Sequence, residues 1–203
     1  MIDRRAFFHH LRARLHPNGL RQSQVDGYGA IVDAWEARQG DCDLRWLAYM
    51  LATAFHESAA TMQPVRETLA GTDAEAMVRL ERAFAAGRLK GVARPYWRPD
   101  AEGRSWLGRG LVQITHRENY ERMAEVTGVD LVRHPERAME MDVAVVILIE
   151  GMRRGSFTGR RLDEFFSQTG ADWLNARRIV NGLDRAGLIA GYGKTFLGAL
   201  LKA

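Results

Sequence analysis

Residues 143–149 read VAVVILI, inside the longer stretch PERAMEMDVAVVILIEGMRRG at 135–155. A helix that is apolar all round must be buried on all sides, so other helices have to surround it. Seven apolar residues fall far short of the roughly 20 that a membrane-crossing helix needs. Pro135 suits a helix start and Gly155 a helix end. The stretch therefore predicts the central buried helix of a mainly α fold.

Enough further helical periodicity exists to enclose it. DRRAFFHHLRARL stops at Pro17-Asn18-Gly19. SQVDGYGAIVDAWEAR places Val25, Tyr28, Ile31, Val32 and Trp35 on one face, with Ser23 as N-cap. LRWLAYMLATAFHES carries a stripe of Leu44, Leu47, Ala48, Leu51, Ala54 and Phe55. DAEAMVRLERAFAAG runs from an Asp73 cap to Gly87. DEFFSQ, ADWLNARRIVNG and AGYGKTFLGALLK predict shorter helices. Residues 91–114 differ: prolines, glycines and aromatics predict loops with one small hairpin ending in LVQI, on a helical scaffold where binding residues tend to lie. No long repeat and no Ser/Pro-rich linker divides the chain, so residues 1–203 are expected to form one domain, with the helices of 1–40 packed on it.

The 203 residues include one cysteine, Cys42, which excludes an intramolecular disulfide and four-cysteine zinc sites. A core-held fold suits a reducing cytoplasm. The basic N-terminus is followed by no apolar segment of the secretory kind, so no signal peptide is expected. Net charge is +4, and only Lys90, Lys194 and Lys202 are lysines, leaving 26 arginines among 29 basic residues. Arginine forks match carboxylates and phosphates. The arginines are scattered through every helix, which argues against a nucleic-acid face.

HESAA at 56–60 begins like a zinc-binding HExxH, but Ala60 stands where the second imidazole belongs. His9, His10, His16, His116 and His134 have no ligand spacing. No metal and no cofactor is expected. The chain has no G-x-S-x-G elbow and no phosphate loop. Cys42, before an apolar helix, reads as inert, and DCD at 41–43 as a helix N-terminus.

Carboxylates remain. Glu57 falls near the C-terminus of the third helix, at the edge of its buried stripe, where low dielectric and the helix dipole favour a protonated carboxyl, as a general acid requires. The competing reading is a solvated glutamate at a helix end. Glu67 follows Pro64, after the chain must turn, and two facing carboxyls across a groove are what glycoside hydrolysis requires. Glu75 and Glu81 lie in an amphipathic helix whose solvated face explains them. In GRGLVQITHRENYERM, 108–123, Thr115 and Glu118 have capping-box spacing. The glycines permit close backbone approach, while Gln113, Thr115, Asn119 and Tyr120 offer neutral polar groups and an aromatic face suited to sugars.

AFHES with a glutamate ten residues on, then GRGLVQITHRENY, then NARRIVNG, resembles glycoside hydrolase family 19, and within it the compact bacteriophage endolysins that cleave peptidoglycan. The resemblance covers about residues 45–195. It implies a lysozyme-like α+β domain with a small β hairpin beside the cleft. It implies Glu57 as general acid, Glu67 as second carboxylate and Thr115 as the residue positioning water. His56, Gln113, Asn119, Tyr120 and Asn181 become substrate contacts. Glu81 remains the rival for Glu67. The implied reaction is muramidase-type, inverting cleavage of β-1,4 bonds, for which the carboxyls stand about 6.5 to 9.5 Å apart. A chitinase is the alternative, and a noncatalytic wall-binding or phage structural protein the alternative of another class. Implied partners are peptidoglycan glycan strands, with no nucleic acid and no stable membrane insertion. The protein would be a monomer, made in the cytoplasm and reaching the periplasm or cell wall through a holin or other release factor. The family often has Gly-Gly after its HE[ST]; here Ala59-Ala60 makes the turn tighter or still helical.

Overall fold

Helix α3 (Leu44–Glu57) is buried without a break from Leu47 to Phe55. The sequence stripe accounts for half of that surface; Tyr49, Met50, Ala52 and Thr53 fill the other half because neighbours cover every side. α7 (Ala186–Leu200) lies along it most extensively, and α2 (Gln22–Gln39) and α6 (Met141–Arg154) also pack against it. The apolar helix α6 is equally deep, with Val143, Ala144, Val145 and the run Ile147–Met152 buried, so two helices share the centre. The computed structural model describes residues 1–39 and 43–203; Asp41 and Cys42 of the expected helix start lie outside the described residues. The chain is mainly helical with two small antiparallel strand pairs.

α1 (Arg4–Leu15) starts where the Asp3 carboxylate accepts from the Arg5 and Ala6 amides. It packs on α7, and both N-terminal helices contribute side chains to the main core. In α2, Ser23 lies inside the helix, and Gln24 accepts from the Arg21 amide before its first turn. Tyr28, Ile31, Val32 and Trp35 are buried, but Val25 is only half-buried. Gly27 makes a close approach of its own: a Cβ there would lie 1.8 Å from the Met62 carbonyl oxygen, so only glycine lets α2 meet the turn after α3. α4 (Asp73–Ala85) has Thr72 as N-cap, one residue before the expected Asp73.

The helix expected from Pro135 is interrupted. Pro135–Met139 is a 3-10 turn, and Glu140 is extended before α6 begins. The Glu140 side chain binds Arg137 at 3.0 Å and its carbonyl accepts from Ala144 N, so it ends one element and starts the next. DEFFSQ is not a helix. A 3-10 turn at Leu162–Glu164 leads into β3 (Phe166–Ser167), which pairs with β4 (Gly170–Ala171) across a tight turn. Phe165 and Phe166 are both buried in the main core. NARRI at 175–179 is a 3-10 turn.

The expected hairpin ending in LVQI is a single bridge between Arg109 and Ile114. A second strand reaches it from far upstream: β1 (Val65–Arg66) pairs with β2 (Arg109–Gly110). The chain between them makes its own small core of Ala70, Ala76, Leu80, Trp97 and Leu107, separate from the main one. α5 (Arg117–Thr127) then packs on α6. Among the described residues no helix is long and apolar enough to cross a membrane.

Candidate active site

Glu57 is the last residue of α3. Its Oε1 accepts from Arg177 Nη1 at 2.7 Å, with Arg177 only 4% and Glu57 17% exposed. Arg177 comes from the 3-10 turn at 175–179, whose Ala176 and Ile179 are buried in the main core and carry the guanidinium in with them. Its Nε donates to the Asp184 carbonyl, which fixes the fork. Glu57 Oε2 has no hydrogen-bond partner among the described residues. Glu57 therefore sits in an ion pair with Arg177 at the edge of the main core.

His56, half-buried beside it, is held below its ordinary imidazole value by burial; Glu57 opposes the shift and Arg177 adds to it. The Asn181 amide donates to the Arg177 carbonyl at 3.0 Å, and its side chain accepts from Gly182 N and is exposed. The residues expected at 56, 57 and 181 therefore share one neighbourhood, organised by Arg177.

Glu67 belongs to a second neighbourhood, at the foot of the small core. Its Oε2 accepts from the Gly108 amide at 2.8 Å and its Oε1 from the Tyr96 hydroxyl at 2.7 Å. Burial, reinforced by the Glu67 carboxylate, pushes the Tyr96 phenol up, so Tyr96 is a firm donor. The Glu67 amide also donates to the Gly108 carbonyl at 2.7 Å, continuing the β1–β2 pairing. A Cβ on Gly108 would meet Gln113 Oε1 at 2.9 Å and Glu67 Oε2 at 3.2 Å, so the close approach read from Gly-Arg-Gly is real at this glycine. The two carboxylates accordingly stand on different hydrophobic cores, joined by the turn 58–64, and no side-chain contact among the described residues links them.

The remaining expected residues divide. Gln113 Nε2 donates to the Val65 and Gly110 carbonyls and braces the strand pair. Thr115 is half-buried, and its carbonyl accepts from Asn119 Nδ2 at 2.7 Å. Tyr120 is corrected: it is fully buried, donates to the Leu107 carbonyl and accepts from Arg109 Nη1, so it presents no face to a sugar. Burial pushes its phenol up to about 12, against the pull of Arg109. Thr115 and Glu118 make no capping box. His116 is the N-cap, at φ 65 and without a side-chain cap, because its amide donates to the Trp106 carbonyl and delays the helix by one residue. Arg109, 1% exposed, ties Tyr120 to Asp73 of α4 at 2.5 Å, and Arg66 holds the same carboxylate at 2.6 Å. Burial works to raise the Asp73 carboxyl, but the two arginines prevail and hold it below its ordinary value.

Glu81 is occupied elsewhere. The Arg98 guanidinium, and then Trp97 Nε1, lower its carboxyl to about 2, clamping the 96–98 loop to α4. A carboxylate that weakly basic suits structure better than proton abstraction.

Eight non-glycine residues among those described have left-handed φ. Ala59, Ala60 and Met62 follow Glu57; Thr68 and Leu69 follow Glu67; Gln113 and His116 flank Thr115; Arg185 follows Asp184. Each costs roughly 1 kcal/mol relative to an ordinary conformation. Strain of this kind gathers at functional sites, and here it gathers beside the two carboxylates. The turn after Glu57 is thus neither helical nor glycine-built: Ala59 and Ala60 take the geometry that glycine favours.

Sequence reasoning missed Arg177 and Tyr96. Arg177 left a trace, since an arginine at the register of Ala176 and Ile179 has to be buried and therefore paired. Among the described residues no group of three His, Cys, Asp or Glu side chains is placed to hold a metal ion. No protein-family model matches this chain, and no curated protein matches it.

Proposed function

We propose that the chain is a glycoside hydrolase resembling the family 19 phage endolysins, cleaving β-1,4 bonds of peptidoglycan glycan strands. The observation that carries the reading is the pair of half-buried carboxylates, each fixed by named donors, on two adjoining hydrophobic cores. In this reading Glu57 delivers a proton to the leaving oxygen from Oε2, while Arg177 holds Oε1 in place. Glu67 takes the proton of the attacking water. Each carboxylate oxygen has two acceptor directions, so the Tyr96 and Gly108 bonds leave room for that water. The Thr115 hydroxyl orients it. His56, Gln113, Asn119 and Asn181 border the glycan path, with Gln113 acting chiefly on the backbone.

A second reading is favoured by the ion pair itself. Arg177 already engages Glu57 Oε1 in an ion pair that joins two elements of the fold, which is a structural use of this carboxylate. A noncatalytic glycan-binding protein would use the pair only to brace the end of α3 against the turn at 175–179.

Digestion of purified peptidoglycan and of chitin oligomers side by side, with mass analysis of the new ends, tests both. Release of reducing ends from peptidoglycan, lost in Glu57→Gln and Glu67→Gln and kept in Glu81→Gln, is the expected result. Glycan binding with no ends released at high protein concentration would establish the second reading.

A further inference from the structure

α1 and α7 run antiparallel, with the Asp3 amide bonded to the Ala203 carbonyl at one end. Farther along, a hollow of about 290 Å³ opens between them, lined by His10, Arg14, Lys194, Thr195, Gly198 and Lys202, with Ala199 in its floor. Small residues create it: at Gly198 no atom lies within 4 Å of where a Cβ would stand. The lining is cationic and contains no acidic side chain. Two of the three lysines in the chain meet there with one arginine, three permanent positive charges in a protein of net charge +4. Arg14, Lys194 and Lys202 make no ion pair with any described residue, whereas Arg4, at the start of α1, is held by Asp33 and Glu36. The nearest acid on α1, Asp3, lines a neighbouring hollow and is engaged in capping its helix.

Arg14, Lys194 and Lys202 are exposed, and although Lys194 also borders a hollow that Asp172 lines, the described residues bring no acid into this one, so a bound anion would supply the missing counter-charge. The Thr195 hydroxyl donates to the Gly191 carbonyl, so selectivity falls to the cations. A guanidinium fork and two ammonium groups match an anion with several oxygens and more than one charge better than a single carboxylate. The volume holds such a group with part of its hydration, since a water occupies roughly 30 Å³.

We propose that this hollow binds a phosphoryl group carried on a polyanion, held by Arg14, Lys194 and Lys202. The site is independent of the glycan reading, and its test reads binding alone.

Titration of the full chain with pyrophosphate by calorimetry should give saturable binding of one ligand per chain. Gly198→Glu puts a carboxylate into the hollow without a clash and improves helix propensity. It should weaken binding about tenfold or more while moving the melting temperature by no more than about 2 °C. Lys194→Gln with Lys202→Gln should weaken binding likewise, and Arg88→Gln with Arg94→Gln, remote and exposed, should not. Equal affinity in Gly198→Glu and the parent, equal losses in both double variants, or polyglutamate competing as well as pyrophosphate would overturn the assignment. Sedimentation with phosphatidylglycerol vesicles, and separately with soluble polyphosphate, identifies the carrier; Gly198→Glu must lose whichever interaction the parent shows. Retention of both interactions by that variant would also overturn it.

Discussion

Arg177 Nη1 reaches Glu57 Oε1 at 2.7 Å from a residue 120 positions away in the chain. The pair ties the C-terminus of α3, one of the two central helices, to a short 3-10 turn that Thr158 and Asp172 also hold by hydrogen bonds. Arg177→Met leaves Glu57 without its partner and should cost about 3 kcal/mol in urea unfolding. Glu57→Gln keeps an acceptor for the guanidinium and should cost only about 1 kcal/mol, while abolishing glycan hydrolysis. A double-mutant cycle on the two positions measures the coupling.

Gly108→Ala tests the Glu67 setting. Its methyl would press on Gln113 Oε1 at 2.9 Å and Glu67 Oε2 at 3.2 Å. Displacing the carboxylate by a few tenths of an ångström to 1 Å should reduce hydrolysis by up to about 100-fold. The stability cost should stay near 1–3 kcal/mol. Steady-state rates on solubilised peptidoglycan, beside urea midpoints, separate the two effects.

Ala59→Gly and Ala60→Gly should stabilise the protein. Both alanines have φ in the left-handed region, at 50° and 62°. Relief of about 1–2 kcal/mol of steric cost outweighs the greater chain entropy of glycine, for a net gain of about 0.5–1 kcal/mol each. A rise in melting temperature is the expected outcome; a fall would show that the turn is not left-handed.

Stability should decline on mild acidification. His16 is buried, shares a hydrogen bond of 2.9 Å with the Tyr28 hydroxyl, and is lowered below its ordinary value by burial and then by Arg21. His56 is lowered too, chiefly by burial. The folded state thus holds fewer protons than the unfolded one. This contribution is complete above the ordinary value of about 6.5 and is lost as pH falls through the lower folded values. The lowered carboxylates, Asp73 and Glu81 among them, act in a more acidic window. Urea midpoints should therefore drop between about pH 7 and pH 5.5, and drop less in His16→Gln.

Much of the helical frame was legible because helix signals are local. The stop before Pro17, the start of α4 within one residue of Asp73 and the end of α3 at Glu57 each depend on neighbours within a turn or two. Failures occurred where a distant atom decided the matter. α5 takes its N-cap one residue after Thr115, where the His116 amide bonds to the distant Trp106 carbonyl, and the close meeting of Gly27 with the Met62 carbonyl spans 35 positions of the chain. In the candidate site, Glu57 and Glu67 could be named from residue type and position. Their donors, 120 and 29 positions away, lay beyond any window of periodicity.

The loop from β1 to β2 makes its own core, and its ends are pinned together by two adjacent residue pairs, Val65 with Gly110 and Arg66 with Arg109. Such an excursion is an exchangeable cassette. Its length and contents can drift so long as its two ends still meet and Trp106, set in the main core, and Asp73, held by Arg109, keep their places. The setting of Glu67, built from Tyr96 inside the cassette and Gly108 at its edge, can then be retuned by evolution or by design while α3 and the Glu57 pair stay as they are.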